Sequence, residues 1–353
     1  MRGRVLQHNQ LSSTIMKQRR QRTLNPKTPK QRPPACEPGN PGRPRGFRVT
    51  TSIEGIPVTP RGDAGRIIIN PKNAASGSRK AGGTIIINPK GFSGSKSAVH
   101  GRILNCIPSR NVETDWQYEH AASAGILRAA AAPPKKFDLR EPWWAINDQG
   151  QTGSCVGWAT ADSVIRWHMS KSGRLAQSDL LSSRFLWMSA KETDEFMTFP
   201  STFVEVEGTS LKAALDIARK FGNLVENDLP FNGTLWQGEP EDLYSRAAQR
   251  KIASYYNLGC NLQTWKNWLS KNGPILTRLD VDTAWLNVGA DGALKKYDAA
   301  NTYGGHAVAL VGYTEATIIV RNSWGTSWGD GGFAHAANAY ALAAFTESYG
   351  VAL

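Results

Sequence analysis

Val320-Arg-Asn-Ser-Trp-Gly-Thr-Ser-Trp-Gly-Asp-Gly-Gly-Phe333 is the stretch on which the reading of this chain turns. An Asn-Ser turn runs into two Trp-Gly pairs and a Gly-rich close. By itself it suits a tight β-turn with aromatic packing. Just upstream, Tyr303-Gly-Gly-His-Ala-Val-Ala-Leu-Val-Gly-Tyr313 sets a histidine at the head of an apolar run. The spacing predicts strands at His306–Tyr313 and Thr317–Arg321, with a further short strand at Ile275–Leu279.

Farther back lies Asp148-Gln-Gly-Gln-Thr-Gly-Ser-Cys-Val-Gly-Trp158. It puts Cys155 at the start of a predicted helix, Cys155–Lys171, behind a Gly-rich loop. Apolar residues fall on both sides of this helix, which predicts burial between two layers. The N–H groups at a helix N-terminus stabilise an anion, so this thiol ionises more readily than a free one. A second helix follows from Leu211, Ala214, Leu215, Ala218 and Phe221. Thr209 or Ser210 can cap its start and Gly222 can close it. Leu180–Lys191 and Leu262–Ser270 also read as helical. Helices first and strands later, without βαβ alternation, predict an α+β fold.

Together the three stretches carry a resemblance. The order Cys155, His306, Asn322, with Gln149 six residues before the cysteine, resembles the papain family of cysteine peptidases over about Lys136 to Leu353. His306 and Asn322 are 16 residues apart, and Cys155 precedes His306 by 151, near the separation such enzymes show. The segments from Glu207 to Leu215 and Leu229-Pro-Phe231 look like the family's helical half. The resemblance implies a two-lobed fold, a helical left lobe and an antiparallel β right lobe, and a hydrolase acting on peptide bonds through a thioester acyl-enzyme. It implies Cys155 as nucleophile, His306 as its proton partner and Asn322 as the residue orienting the imidazole. It implies that Gln149 and the Cys155 N–H form the oxyanion hole. Trp324 would shield the His–Asn bond, and Gly208 and Thr209 would offer backbone to an extended peptide substrate.

Three positions depart from the family pattern. Val156 stands where a Trp usually follows the nucleophile. Thr152 stands where familiar members carry a disulfide cysteine, which suggests a domain not reliant on oxidising conditions. Gly305 replaces an Asp that often precedes the histidine. The sequence assigns no partner to Cys36, Cys106 or Cys260. With no pair of C-x-x-C motifs, neither a zinc site nor any other metal or cofactor is expected.

The rest of the chain differs in kind. Of 353 residues, 40% are hydrophobic and 20% charged, with a net charge of +13. Residues 1–134 hold 22 Lys/Arg against 6 Asp/Glu, 14 of the 19 prolines and one tryptophan. Residues 135–353 are net acidic and hold the other eleven tryptophans. A basic, Pro/Gly/Ser-rich stretch cannot bury enough apolar surface to offset its chain entropy. Residues 1–134 are therefore expected to be a mostly disordered extension, and 135–353 the peptidase domain. Removing residues 1–130 is then expected to leave that domain folded and active. Within the extension, Arg66-Ile-Ile-Ile-Asn-Pro-Lys72 recurs as Thr84-Ile-Ile-Ile-Asn-Pro-Lys90. This is a local duplication or a docking strand, too short for a solenoid. The long E-R-F-N-I-N helix of the family's inhibitory prosegments is not found there.

No apolar run of 18 residues or Sec-type signal stands out, so a cytoplasmic location is the default expectation. Besides a peptide or protein substrate, partners of the basic tail stay open. Salt-sensitive nucleic-acid binding is one reading, though the tail has few aromatics for base stacking. Cleavage of special amide or isopeptide bonds, in the manner of an effector or a deubiquitinase, is the enzymatic alternative. A transglutaminase is disfavoured by Asn322, and an inactive scaffold by the presence of all four site residues.

Overall fold

Residues 155–171 form one continuous helix whose middle turns, Trp158–Ile165, are π-helical. Val156, Ala159, Ala161, Val164, Ile165 and Met169 are all buried. Apolar residues on every side leave such a helix no solvent face, and it lies between a helical layer and a sheet. These coordinates come from a computed structural model, which describes residues 98–99, 101–127, 132–195 and 208–353. The described residues all fall in the compact unit Ala35–Leu353. The duplicated Ile-Ile-Ile-Asn-Pro-Lys segments and most of the basic tail lie outside them.

On the helical side, Ser183–Glu195 packs against Leu211–Lys220. The first helix starts three residues later than its apolar pattern predicts. Leu181 bridges to Val225 instead, and the Ser182 hydroxyl accepts from the Phe185 N–H at 3.1 Å, capping the helix. Ser210 caps the second by accepting from the Ala213 N–H at 3.3 Å. Gly222 closes it at φ 97°, a left-handed value that favours glycine. Phe221 does not join the apolar face; it is 40% exposed and packs on Tyr244.

Ten strands are described. β1 (Ala98–Val99) and β2 (Arg102–Ile103) form a small hairpin. The others are β3 (Phe137–Asp138), β4 (Ser254–Asn257), β5 (Ile275–Asp282), β6 (Ala293–Leu294), β7 (Thr302–Tyr313), β8 (Thr317–Arg321), β9 (Phe333–Ala337) and β10 (Phe345–Ala352). They make one eight-stranded sheet in the order β4-β10-β5-β7-β8-β9-β6, with β3 alongside β7. Pairings are antiparallel except β6 with β9. The sequence reading passes over β10, yet it sits between β4 and β5. Thr346, Glu347 and Gly350 interrupt its apolar pattern.

The stretch 101–127 departs from the expectation for a disordered extension. Leu104, Cys106, Tyr118 and Ala121 are buried. A short helix, Tyr118–Ser123, sets the Tyr118 ring edge-on to Trp268 at 5.9 Å. The Asn257 N–H donates to the Trp116 carbonyl at 2.8 Å, and the Tyr349 hydroxyl donates to Asp115 at 2.8 Å. Composition counts only the apolar surface a segment brings with it. This segment has too little for a core of its own and uses the surface of the domain.

Candidate active site

Two loops bring the site together. The loop before Cys155 and the loop after Asn322 are joined by the Gln149 N–H to Ser323 carbonyl bond, 2.9 Å, and the Gly325 N–H to Asn147 carbonyl bond, 3.2 Å. Behind them, Arg321 at the end of β8 reaches into the helix that carries Cys155. Its guanidinium donates to Asp162 at 2.7 Å and to the Ala145 carbonyl at 2.9 Å. Arg166 donates to the other Asp162 oxygen at 3.0 Å. All three charges are buried, so two cations share one anion in a low-dielectric interior, where electrostatic contacts are strong. This cluster fixes the sheet against the helix, and thus Asn322 against Cys155.

Cys155, His306, Asn322, Gln149 and Trp324 come together, and all are buried. His306 Nε2 lies 2.8 Å from Asn322 Oδ1. The same Oδ1 accepts from the Ser323 N–H at 2.8 Å. That second donor turns the oxygen of the amide toward the ring, so Nε2 is the protonated nitrogen and donates. Nδ1 has no hydrogen-bond partner, and the ring helps to lower the ionisation of the buried Cys155 thiol. Trp324 lies over His306 with 4.9 Å between ring centroids, and Trp285 stands edge-on at 5.9 Å. The His–Asn bond is therefore enclosed in aromatic carbon. Gln149 is oriented at both ends of its amide. Its Oε1 accepts from the Ser323 hydroxyl at 2.8 Å, and its Nε2 donates to the Thr152 carbonyl at 3.0 Å.

The Cys155 thiol is held well below its usual ionisation range. A hydrogen bond from the Cys106 thiol is the main cause; the His306 hydrogen bond and charge and the Ala307 N–H add to it, against the opposing effect of burial. Cys106 is shifted the other way, chiefly by burial and then by Cys155. The sequence reading gave Cys106 no partner. No local signal could have supplied one, since 49 residues separate it from Cys155.

Gly208 and Thr209 do not face an open groove. The Ile107 N–H donates to the Thr209 carbonyl at 3.2 Å, and the Cys106 N–H to the Gly305 carbonyl at 3.0 Å. Arg278 Nε donates to the Cys106 carbonyl at 3.0 Å. A Cβ on Gly208 would fall 1.5 Å from the Asn105 carbonyl oxygen, and one on Gly305 2.0 Å from that of Cys106. These two glycines leave the room through which residues 104–107 pass, and the departure from Asp at position 305 finds its reason there. Arg102 anchors the upstream end. It pairs with Asp148, donates to the Gly150 carbonyl at 2.9 Å and lies 5.6 Å over the Trp324 ring. Beyond Ile107, the Ser109 N–H donates to Glu347 at 2.9 Å.

Ser323, Trp285, Arg102, Arg278 and Cys106 were not singled out from sequence. Ser323 alone lay within a quoted motif. Among the described residues, no group of three His, Cys, Asp or Glu side chains could hold a metal ion, and no helix is long and apolar enough to cross a membrane.

Comparison with known proteins agrees with this architecture. A family model described as "Papain family cysteine protease" matches residues 133–350. The "Probable cysteine protease RD19B" of Arabidopsis thaliana is 27% identical over 214 residues, 57% of this chain and 57% of that protein. The "Viral cathepsin" of Epiphyas postvittana nucleopolyhedrovirus is 29% identical over 218 residues, 57% of this chain and 60% of that protein. The match thus spans less than two thirds of either relative. Among solved structures, xylellain, a cysteine protease from Xylella fastidiosa, shares the fold at a TM-score of 0.58 and 21% identity, covering 73% of this chain and 97% of that one.

Proposed function

Because the chain belongs to the papain family of cysteine proteases, we propose that it hydrolyses peptide bonds through Cys155, His306 and Asn322. The observation that carries this reading is the 2.8 Å contact of His306 Nε2 with Asn322, on a ring that also helps to lower the ionisation of the Cys155 thiol. A proton passes from the thiol to Nδ1, and the thiolate attacks the scissile carbonyl. The carbonyl oxygen becomes negative and takes hydrogen bonds from the Cys155 N–H and the Gln149 amide. Ser323 and Thr152 hold that amide in place beforehand, so it need not reorganise as charge develops. His306 then returns its proton to the leaving amine, and a thioester remains on Cys155. A water molecule that gives a proton to His306 attacks the thioester and frees the acid. Asn322 keeps the ring oriented throughout without offering a competing negative charge.

In the arrangement seen, residues 104–107 lie where a peptide would bind beside Gly208 and Thr209. Turnover therefore requires this stretch to leave, and the chain with the stretch seated is a latent form. The test compares full-length wild type with Cys155→Ala for hydrolysis of fluorogenic peptides and for labelling by a thiol-directed peptidyl electrophile. Both are expected to vanish in the variant while its circular dichroism is unchanged. Labelling that persists in the variant would assign the chemistry to another cysteine.

A further inference from the structure

Gln149 offers polar groups on its backbone and on its side-chain amide, and Ser323 and Thr152 between them hold all of these. Ser323 takes one of each kind: its carbonyl accepts from the Gln149 N–H, and its hydroxyl donates to Oε1. Thr152 takes the others. Its hydroxyl donates to the Gln149 carbonyl at 2.7 Å, and its carbonyl accepts from Gln149 Nε2 at 3.0 Å. A threonine hydroxyl has one proton. Thr152 spends it on that carbonyl, so the Ser154 hydroxyl, 2.5 Å away, donates to Thr152. Ser154 directly precedes Cys155. The two hydroxyls thus run from Gln149 to the residue beside Cys155, and they brace the two groups that meet the oxyanion in the proposed reaction. Gln149, Thr152, Ser154 and Ser323 are all buried, where hydrogen bonds are strengthened by the low dielectric. Gly150 and Gly153 bring no side chains that could hold this turn. Thr152 also occupies the position at which the family resemblance implies a disulfide cysteine, so hydroxyls stand where a covalent brace would.

We propose that Thr152 is a positioning residue for hydrolysis: with Ser154, it sets the Gln149 amide at the spacing from the Cys155 N–H that a tetrahedral oxyanion needs. The inference rests on the proposed role of Gln149. Two donors stabilise one developing charge together only when both are aimed at it beforehand. The Cys155 N–H is fixed by the helix it opens, whereas Gln149 sits on a loop. Gln149 Nε2 carries two hydrogens; the Thr152 carbonyl engages one and leaves the other for the oxyanion. Without the Thr152 hydroxyl, the Gln149 carbonyl and the Ser154 hydroxyl each lose a partner and the turn relaxes. The orientation must then be regained as charge develops, which raises the barrier. Alkylation of Cys155 by iodoacetamide makes no such demand. The thiolate displaces iodide from a saturated carbon, and no oxyanion forms there.

The test uses the full-length chain and two rates. One is hydrolysis of a fluorogenic peptide, resolved into kcat and KM. The other is alkylation of Cys155 by iodoacetamide, followed on the Cys155 peptide by mass spectrometry. Both need residues 104–107 to leave and both need the thiolate, so their ratio isolates the oxyanion. Thr152→Val keeps the shape and drops the hydroxyl. Its kcat is expected to fall by about tenfold at unchanged KM, part of what loss of a whole donor costs. Its alkylation is expected to keep the wild-type rate. Thr152→Ser restores the hydroxyl and is expected to rescue kcat. In Gln149→Ala, kcat is expected to fall by about a hundredfold, and adding Thr152→Val is expected to cost nothing more. If Thr152→Val does not fold, Ser154→Ala opens the same brace at its other end and carries the same expectations. Wild-type hydrolysis in the variant, hydrolysis and alkylation that fall together, or an undiminished loss on top of Gln149→Ala each overturn the proposal and leave the role of Gln149 standing. Gln149→Ala that hydrolyses as fast as wild type defeats that role, and this inference with it. A wild type that hydrolyses nothing defeats the hydrolase reading itself.

Discussion

Gly305 shows how one missing side chain can set the state of the site. A Cβ there would meet the Cys106 carbonyl oxygen at 2.0 Å, Arg278 Nη2 at 2.7 Å and Arg278 Nε at 3.0 Å. Its φ lies outside the left-handed region, so alanine strains no backbone there and acts on the seated segment and on the Arg278 side chain that holds it. Gly305→Ala is expected to lift residues 104–106 and to speed alkylation of Cys155 in the full-length chain. Rates equal to wild type would mean the segment tolerates the methyl group. His168 belongs to the same scale. Burial pushes its ionisation down to about 4, and its Nε2 has no hydrogen-bond partner. The unfolded chain binds that proton near pH 6.5 and the folded chain only near 4. This histidine therefore costs nothing above about pH 6.5 and progressively more as pH falls to about 4, some 3 kcal/mol in all. Urea unfolding of wild type and His168→Gln across that range is expected to show the variant gaining on wild type by about that amount toward low pH. A constant difference would place the histidine near solvent.

At the scale of elements, the helix 155–171 and strand β8 are held in register by Asp162, Arg166 and Arg321. Burial lowers the Arg321 ionisation and Asp162 raises it back in part. Removing the shared anion leaves two buried guanidinium groups without their counter-charge. Asp162→Ala is expected to cost about 3–5 kcal/mol in urea unfolding. It is also expected to slow hydrolysis, because Asn322 directly follows Arg321 and loses its register against Cys155. A loss below about 1 kcal/mol, the size of an exposed pair, would contradict this account. The helix was plain in the sequence from its apolar residues alone. Its π-helical middle was not, because hydrogen-bond register within a helix leaves no mark in hydrophobic periodicity.

For the molecule as a whole, the stretch 101–127 makes the site of truncation matter. Cutting after residue 110 removes Arg102, Cys106 and Ile107 from the cleft and leaves Asp115, Trp116 and Tyr118 docked. Cutting after residue 130 also strips Tyr118 from Trp268 and Asp115 from Tyr349 and Lys212. Both products are expected to be active without further processing. The shorter is expected to be less stable by roughly 3 kcal/mol, from lost apolar burial and one buried hydroxyl left unpaired, read as a lower melting temperature. Equal melting temperatures would return the boundary to 134, as composition alone places it.

The sequence by itself pointed, through its resemblance to the papain family, to the candidate nucleophile, its histidine and asparagine, Gln149 and Trp324, because each lies in a short motif that carries the resemblance. It also determined the α+β order of elements and the core helices, since burial writes its period into the apolar residues. Only the tertiary structure decided what occupies the cleft, that Cys106 bears on the ionisation of Cys155, and that the last strand inserts between β4 and β5. Those are contacts between residues tens to hundreds of positions apart. Distance along the chain carries no information about them, and the segment that fills the cleft is folded by a surface it does not itself contain.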